Sequence, residues 1–195
     1  MWLSIVSIIA VDWLDQAMVS IRFVDASARE REQAAIRQLL VDADESFVPP
    51  LTGANRATVS RSDDEGGSTD IDGYVDRCVS RPLLGAFDGD DLVGFSSFHE
   101  LTTADALEGY TPATHVEILI VDEGFRNRGI ATRLYRALLE ENVPASHRHP
   151  YVATKTWSTN HAHIAILEEL SFECVERLPD DRKPGVDTVY YARHV

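Results

Sequence analysis

The order of its apolar segments predicts that the chain has an α/β fold, with a twisted mixed β-sheet of about seven strands flanked by about four helices. Segments with the alternation or β-branched residues of strands occur from residue 20 onward, and segments with helical spacing lie between some of them. Their succession is β-α-α-β-β-β-α-β-α-β-β, which implies a mixed sheet covered by helices. The length of 195 residues fits one domain whose core needs no disulfide or metal.

In the first half, each predicted element ends at a recognisable signal. A capping box at residues 27–30 precedes the first helix, which must stop near Val48 because two prolines follow. Residues 51–73 are rich in Ser, Thr, Asp and Gly, which predicts a solvated, acidic loop. Asp-Gly-Asp-Asp at 88–91 is a strong hairpin signal. The predicted elements are a strand at 20–25, the helix up to Val48, a short helix from Asp72 or Gly73 that stops before Pro82, and strands at 83–87 and 92–98.

The second half alternates strands and helices. Its predicted elements are a strand at 115–121, a helix to about Glu141, a strand at 151–157, a helix from Asn160, and strands at 173–178 and 188–194. The helix that follows the first of these strands has Ile130, Leu134 and Leu138 at four-residue intervals, which is the spacing of one buried face.

The turn before that helix has the features of an anion-binding site. A helix that begins at Arg126 to Gly129 leaves its first N–H groups without partners, and the positive end of its dipole points the same way. Gly129 allows a ligand to approach the backbone, and the small Ala131 keeps the next turn open. The segment therefore predicts a pyrophosphate-binding site.

Two motifs resemble those of the GNAT acyltransferase superfamily. Arg126-x-x-Gly129-x-Ala131 after an apolar strand is similar to its acyl-CoA-binding signature, and residues 160–172 are similar to its second motif, a helix that begins with Asn and ends in Gly-Phe. The order of elements fits from Ile21 to Val195, so the resemblance implies a GNAT domain over residues 20–195. It also implies direct transfer of an acetyl group from acetyl-CoA to an amine, either a small molecule or a peptide.

The resemblance further implies which residues bind the cosubstrate. In the family, the strand before the turn is splayed from its neighbour, and its free backbone groups bind the pantetheine arm and the thioester carbonyl. The Val121 N–H matches the donor to that carbonyl, and Asn160 either binds the pantetheine, caps its helix, or does both. The implied cofactor-binding residues are Leu119, Ile120, Val121, Arg126, Asn127, Arg128, Gly129, Ile130, Ala131, Thr132 and Asn160.

Glu117 is the candidate general base. It interrupts an otherwise apolar strand, on the face predicted for Leu119 and Val121, and partial desolvation there suits a base that works near neutral pH. Related enzymes often carry a Glu on this strand. The alternative is a structural carboxylate that faces solvent or pairs with an arginine such as Arg22.

The proton donor for the leaving thiolate is not determined by the sequence. Many members of the family have Tyr where this chain has Leu167, so Ser158, Asn160, Tyr190 or a water molecule would have to replace it, or the thiolate leaves unaided. Leu167 also admits a second function, a catalytically weak acyl-CoA-binding sensor or scaffold. Ser171 stands where the family usually has Gly, and a left-handed conformation there would cost about 1 kcal/mol.

Charge and cysteine content exclude several classes of function. The net charge of −14 comes from 32 acidic and 18 basic residues, of which two are lysines, so nucleic acid is not expected as a partner. This balance resembles proteins of halophiles. Cys78 and Cys174 have no paired spacing, so we expect two buried thiols in a cytoplasmic protein with neither a metal nor a membrane anchor. Monomer and homodimer both remain open.

Residues 1–19 form an N-terminal extension of uncertain status. Their apolar run of ten residues is too short to span a bilayer, and it lacks the positive segment and cleavage site of a signal peptide. Three interpretations remain open: a helix packed on the domain, a partner-binding segment, or translated sequence ahead of a true start at Met18.

Overall fold

The computed structural model describes residues 19–24, 31–51, 71–140 and 142–195, and it confirms the predicted α/β fold and the order of its elements. The capping box at 27–30 and residues 52–70 of the predicted loop lie outside the described residues. The strands are β1 Ser20–Val24, β2 Leu83–Asp88, β3 Asp91–Leu101, β4 Ala113–Val121, β5 Tyr151–Trp157, β6 Glu173–Lys183 and β7 Val186–His194. The helices are α1 Glu32–Ala43, α2 Ile71–Ser80, α3 Ile130–Leu139 and α4 His161–Glu169.

The seven strands form one mixed sheet in the order β1-β2-β3-β4-β5-β7-β6. Every neighbouring pair is antiparallel except β4 and β5, which are parallel. The parallel pairing runs only from Ala113 opposite Tyr151 to Val116 opposite Thr154, although both strands continue beyond it. The sheet therefore opens near its middle.

Helices cover both faces of the sheet because alternate strand residues are apolar on each side. On one face, residues of α3 and α4 pack with Leu84, Val116 and Val152 in a first core cluster. On the other face, residues of α1 and α2 pack with Leu83, Phe95, Ile118 and Ile120 in a second core cluster. Leu167 of α4 is fully buried in the first cluster.

Several local predictions can be compared with the structure. Gly89 in the β2–β3 turn has a φ of 61°, as a tight hairpin requires, and Ser171 has a φ of 60°, the predicted left-handed conformation. The prediction of a buried Cys174 is wrong: it lies on the edge strand β6, where it is exposed, whereas Cys78 is buried in α2. Strand β6 extends to Lys183, past its predicted end at residue 178, because it forms a long hairpin with β7. No helix of the described ranges has the length and apolarity needed to cross a membrane.

Candidate active site

A wedge-shaped cleft opens where β4 and β5 separate. Beyond Val116 and Thr154 the two strands no longer pair, and a hydrogen bond of 3.0 Å from the Thr154 hydroxyl to the Val116 carbonyl closes the narrow end. The cleft has a volume of about 320 Å³, enough for part of an extended ligand. Its walls come from β4, β5, α1, α3 and α4.

The edge of β4 that faces this wedge presents backbone groups. The Asp122 N–H donates to the Val93 carbonyl over 2.9 Å, so this pair is of the hydrogen-bonded type in the antiparallel ladder with β3. Bonded and non-bonded pairs alternate in such a ladder. The N–H and C=O groups of Val121 and Leu119 therefore point away from β3, toward the cleft.

The turn between β4 and α3 places further amides beside the cleft. The Asp122 carboxylate accepts a hydrogen bond of 2.8 Å from the Gly124 N–H and begins a short helical turn, Glu123–Phe125. Asn127 and Gly129 then adopt left-handed conformations, with φ of 61° and 71°, before α3 begins at Ile130. Within the part of the chain that the structure describes, the amides of residues 127–132 make no hydrogen bond to the protein. They form a concentrated set of donors at the positive end of a helix, which suits an anion.

The three arginines near this turn have different positions. Arg126 lines the cleft, and its Nε donates to the Val121 carbonyl over 3.2 Å. Arg128 donates to the Gly124 carbonyl over 2.9 Å and lies over the Phe125 ring. Arg133 donates to the Val19 carbonyl and so is directed toward β1. Arg126 is the one whose side chain reaches the cleft wall.

Glu117 occupies a β-bulge in β4. Ser97 pairs with Ile118 and Phe98 pairs with Val116, which leaves Glu117 as an extra residue. The bulge interrupts the alternation, so Val116, Leu119 and Val121 pack with the first core cluster. The prediction that Glu117 shares a face with Leu119 and Val121 is therefore wrong.

The Glu117 side chain instead meets Arg81 and His99. Its carboxylate forms an ion pair with Arg81 and lies 3.7 Å from the Nδ1 atom of His99, and the side chain is 19% exposed. Arg22, the partner suggested by the sequence, bonds to the Gly89 carbonyl and lies over the Phe87 ring. Glu117 also lines the cleft, so its carboxylate is both paired with an arginine and accessible to a ligand in the cleft.

Both faces of the sheet contribute to the cleft. On the α1 side, the Phe47 and Trp157 rings lie 5.6 Å apart between centroids, and both residues line the cleft together with Lys155 and Glu117. On the α3 and α4 side, the lining includes Ala131, Tyr135, Asn160, Ala162, His163 and Ile166. A ligand bound along β4 therefore meets two chemically different sides.

Asn160 caps α4 and lines the cleft. Its Oδ1 accepts from the His163 N–H over 3.3 Å, and its Nδ2 donates to the Thr156 hydroxyl over 3.1 Å. The capping interpretation is thus correct, and the position on the cleft wall leaves a second role in ligand binding open.

A pair of residues that the sequence did not connect lies on the same side of the cleft. The Tyr135 hydroxyl and the His163 Nε2 atom are 2.8 Å apart, and their rings are stacked. Burial lowers the pKa of His163 to about 4 and raises the pKa of Tyr135, so both are neutral at pH 7. The spacing of 28 residues gives no sign of this contact, which depends on how α3 packs against α4.

The structure brings together some of the predicted site residues and separates others. Glu117, Leu119, Ile120, Val121, Arg126, Ala131 and Asn160 line the cleft. The turn residues Asn127, Arg128, Gly129 and Thr132 lie at its end, and the Ile130 side chain is buried in the first core cluster, so only its amide faces outward. Two of the alternative proton donors, Ser158 and Tyr190, are outside the lining: Ser158 accepts from the Asp187 N–H, and Tyr190 is buried in a third core cluster.

Comparison with known proteins gives a consistent family and fold. Residues 52–172 match the family model described as Acetyltransferase (GNAT) family. A comparison with curated proteins gave no match. Among solved structures, the chain is similar to the ribosomal-protein-alanine N-acetyltransferase from Brucella melitensis, with 19% identity, a TM-score of 0.63, and coverage of 90% of this chain and 99% of that one. It is also similar to yncA from Salmonella typhimurium, solved with its cofactor acetyl-CoA, with 18% identity, a TM-score of 0.57, and coverage of 90% and 93%.

Proposed function

The chain belongs to the GNAT acetyltransferase family, and from this premise we propose that it transfers an acetyl group from acetyl-CoA directly to an amine. The observation that carries the proposal is the continuity between the open edge of β4 and the unbonded amides of residues 127–132. An extended arm that ends in a pyrophosphate fits this path, with the arm along β4 and the phosphates at the start of α3.

We propose that the Val121 N–H stabilises the oxygen of the reacting thioester. That N–H points into the cleft and lies on a strand held by β3, so it need not reorganise as negative charge develops on the oxygen. The Leu119 N–H points the same way and is available to the arm. Asn160 supports the arm from the opposite wall.

Glu117 is the proposed general base. The amine nitrogen, once it has given its proton to the carboxylate directly or through water, attacks the thioester carbonyl carbon. The new C–N bond forms and the C–S bond breaks. The nitrogen loses its second proton to water, the thiolate leaves and takes a proton from water, and Glu117 returns the first proton to solvent. The ion pair with Arg81 holds the Glu117 carboxylate in a fixed position on the cleft wall.

A catalytically weak acyl-CoA-binding module is the second candidate function. It is favoured by Leu167, which is fully buried where many relatives have a tyrosine, so α4 offers no hydroxyl at that position. The two candidates differ in turnover and not in CoA binding.

Release of free thiol from acetyl-CoA with a panel of amines tests the proposal, and calorimetric titration with CoA accompanies it. Both measurements belong in molar salt, because a chain of net charge −14 repels itself in dilute buffer. We expect CoA binding together with amine-dependent thiol release. CoA binding without release would favour the second candidate, and failure of CoA binding would refute both.

A further inference from the structure

The charge of the cleft is opposite to that of the chain. Acidic residues outnumber basic ones by 32 to 18 in the sequence. Among the described residues that line the cleft, Glu117 carries the only carboxylate, whereas Arg126 and Lys155 carry fixed positive charges. The one carboxylate is already in an ion pair with Arg81. The lining therefore favours a ligand with negative charge.

Lys155 lies on the side of the cleft away from α3 and α4. It lies on the same face of β5 as Trp157, two residues further on, whose ring contacts Phe47. The intervening Thr156 accepts a hydrogen bond from Asn160 on the opposite side. Lys155 thus lies on β5 at the level of Glu117 on β4, whereas the turn at which the charge of CoA would lie follows Val121, at the end of β4.

The groups around this wall are mostly cationic or neutral. Burial lowers the pKa of His115 well below its usual value, and the charges of His99, Lys155 and Arg81 act in the same direction. Lys155 and Arg81 are therefore near enough to influence one buried ring. The charge of Lys155 acts on the cleft even while its ammonium contacts other groups of the protein.

We propose that the acceptor is an amine that carries an anionic group, a carboxylate or a phosphate, near its amino group, and that Lys155 binds this group. The inference rests on the proposed acetyl transfer and adds the class of acceptor. The amino group then lies at Glu117, the anion lies at Lys155, and an apolar portion fits against Phe47 and Trp157. Amines without an anion lack this contact, and polyamines are disfavoured further because they place a second ammonium group beside Lys155.

The test compares matched amines. Phenylalanine is paired with phenethylamine, tryptophan with tryptamine, and phosphoethanolamine with ethanolamine, with spermidine as a cationic reference. We expect kcat/KM with acetyl-CoA to be about 10- to 100-fold higher for the anionic member of at least one pair, the effect of one charged hydrogen bond. The first two pairs report on a carboxylate and the third on a phosphate. No preference in any of the three pairs, or a preference for the partner without the anion, would overturn the inference and leave the acetyl transfer intact.

Two variants of Lys155 test whether this residue causes the preference for anionic amines. Lys155→Met removes the charge and keeps the apolar stem of the side chain, and we expect the ratio of kcat/KM between the anionic amine and its partner to fall by about tenfold or more. Lys155→Arg should restore part of it. Lys183→Met is the matched control, since Lys183 is the other lysine of the chain and lies exposed at the end of β6. An unchanged preference in Lys155→Met would refute the role of Lys155.

A binding measurement keeps the inference testable if no amine is turned over. Absence of thiol release with every amine would count against the proposed transfer. Calorimetric titration of the CoA-loaded protein with N-acetylphenylalanine and N-acetylphenethylamine then decides the inference without chemistry. We expect the unmodified protein to bind N-acetylphenylalanine more tightly than N-acetylphenethylamine, and Lys155→Met to lose this difference. Equal affinities in the unmodified protein would refute the inference.

Discussion

Gly94 of β3 and Val121 of β4 face each other so closely that a Cβ atom on Gly94 would lie 3.3 Å from the Val121 Cα atom and 2.9 Å from the Ile120 carbonyl oxygen. Both contacts are with backbone, which cannot turn aside as a side chain can. A Gly94→Ala substitution must therefore displace the strand that presents the Val121 N–H. We expect the free energy of unfolding to fall by about 1–3 kcal/mol and the affinity for CoA to decrease, as measured by urea unfolding and calorimetry.

Ser96→Ala is the matched control on the same strand. The Ser96 side chain is buried and its hydroxyl has no hydrogen-bond partner within the described residues, so its removal adds no atom and breaks no hydrogen bond there. Its stability and CoA affinity should stay near those of the unmodified protein. If Gly94→Ala behaved as Ser96→Ala does, β4 would not be constrained at this point.

Glu117→Gln tests the general base. The amide keeps the size of the side chain but cannot take a proton, so we expect kcat to fall about 10²- to 10⁴-fold at neutral pH with little change in CoA affinity. The measurement is thiol release as a function of pH, alongside calorimetry with CoA. Glu100→Gln, at an exposed position of β3, controls for the loss of one negative charge. Undiminished turnover in Glu117→Gln would remove this residue from the base role.

Gly129→Glu tests the proposed phosphate site. The substitution adds bulk and negative charge beside the amides of residues 127–132 and forces a side chain into a backbone with a φ of 71°. We expect CoA binding to become undetectable by calorimetry. Gly185→Glu, at a φ of 80° in the β6–β7 turn, introduces a similar strain and the same charge outside the turn of residues 127–132 and should bind CoA normally. Retained affinity in Gly129→Glu would count heavily against the site.

His163 should make the protein less stable in acid. Burial lowers its pKa to about 4 in the folded chain, whereas an unfolded histidine has a pKa of about 6.5. Between these values the unfolded chain binds more protons, so stability rises with pH and is lost as the pH falls from about 6.5 toward 4. From pH 7 to pH 5 the loss from this residue is about 2 kcal/mol.

A His163→Gln variant isolates this contribution. The glutamine side chain can still accept a hydrogen bond from the Tyr135 hydroxyl, but it does not titrate. Urea unfolding at pH 7 and pH 5 should give a smaller difference in the variant than in the unmodified protein, while His115, whose pKa is also lowered, is present in both. An equal pH dependence in the two proteins would show that His163 is not the group responsible.

The fold was predictable because its signals are local. The periodicity of Ile130, Leu134 and Leu138 marks a helix face without reference to the rest of the chain, and Gly89 marks a hairpin by its own conformational freedom. Ser171 shows the same principle, since its place at the end of α4 predicts its left-handed backbone whatever surrounds it.

The features that were not predictable depend on partners remote in sequence. The bulge at Glu117 arises from the register between β3 and β4, and a strand read alone shows only unbroken alternation. Arg81 cannot be identified as the partner of Glu117 before α2 and β4 are placed together, and the pairing of Tyr135 with His163 has the same origin. Cys174 is exposed because β6 is an edge strand, a property of the whole sheet.

The gap between β4 and β5 is bordered by α3 and α4 on one face of the sheet and by the end of α1 on the other. Each border comes from a different stretch of the chain, and the strand β4 is shared by both. Mutations that accumulate around Phe47 can therefore reshape one side without altering the turn at Gly129. Such a division allows the side around Phe47 to change during evolution while the side that contains the turn at Gly129 is retained.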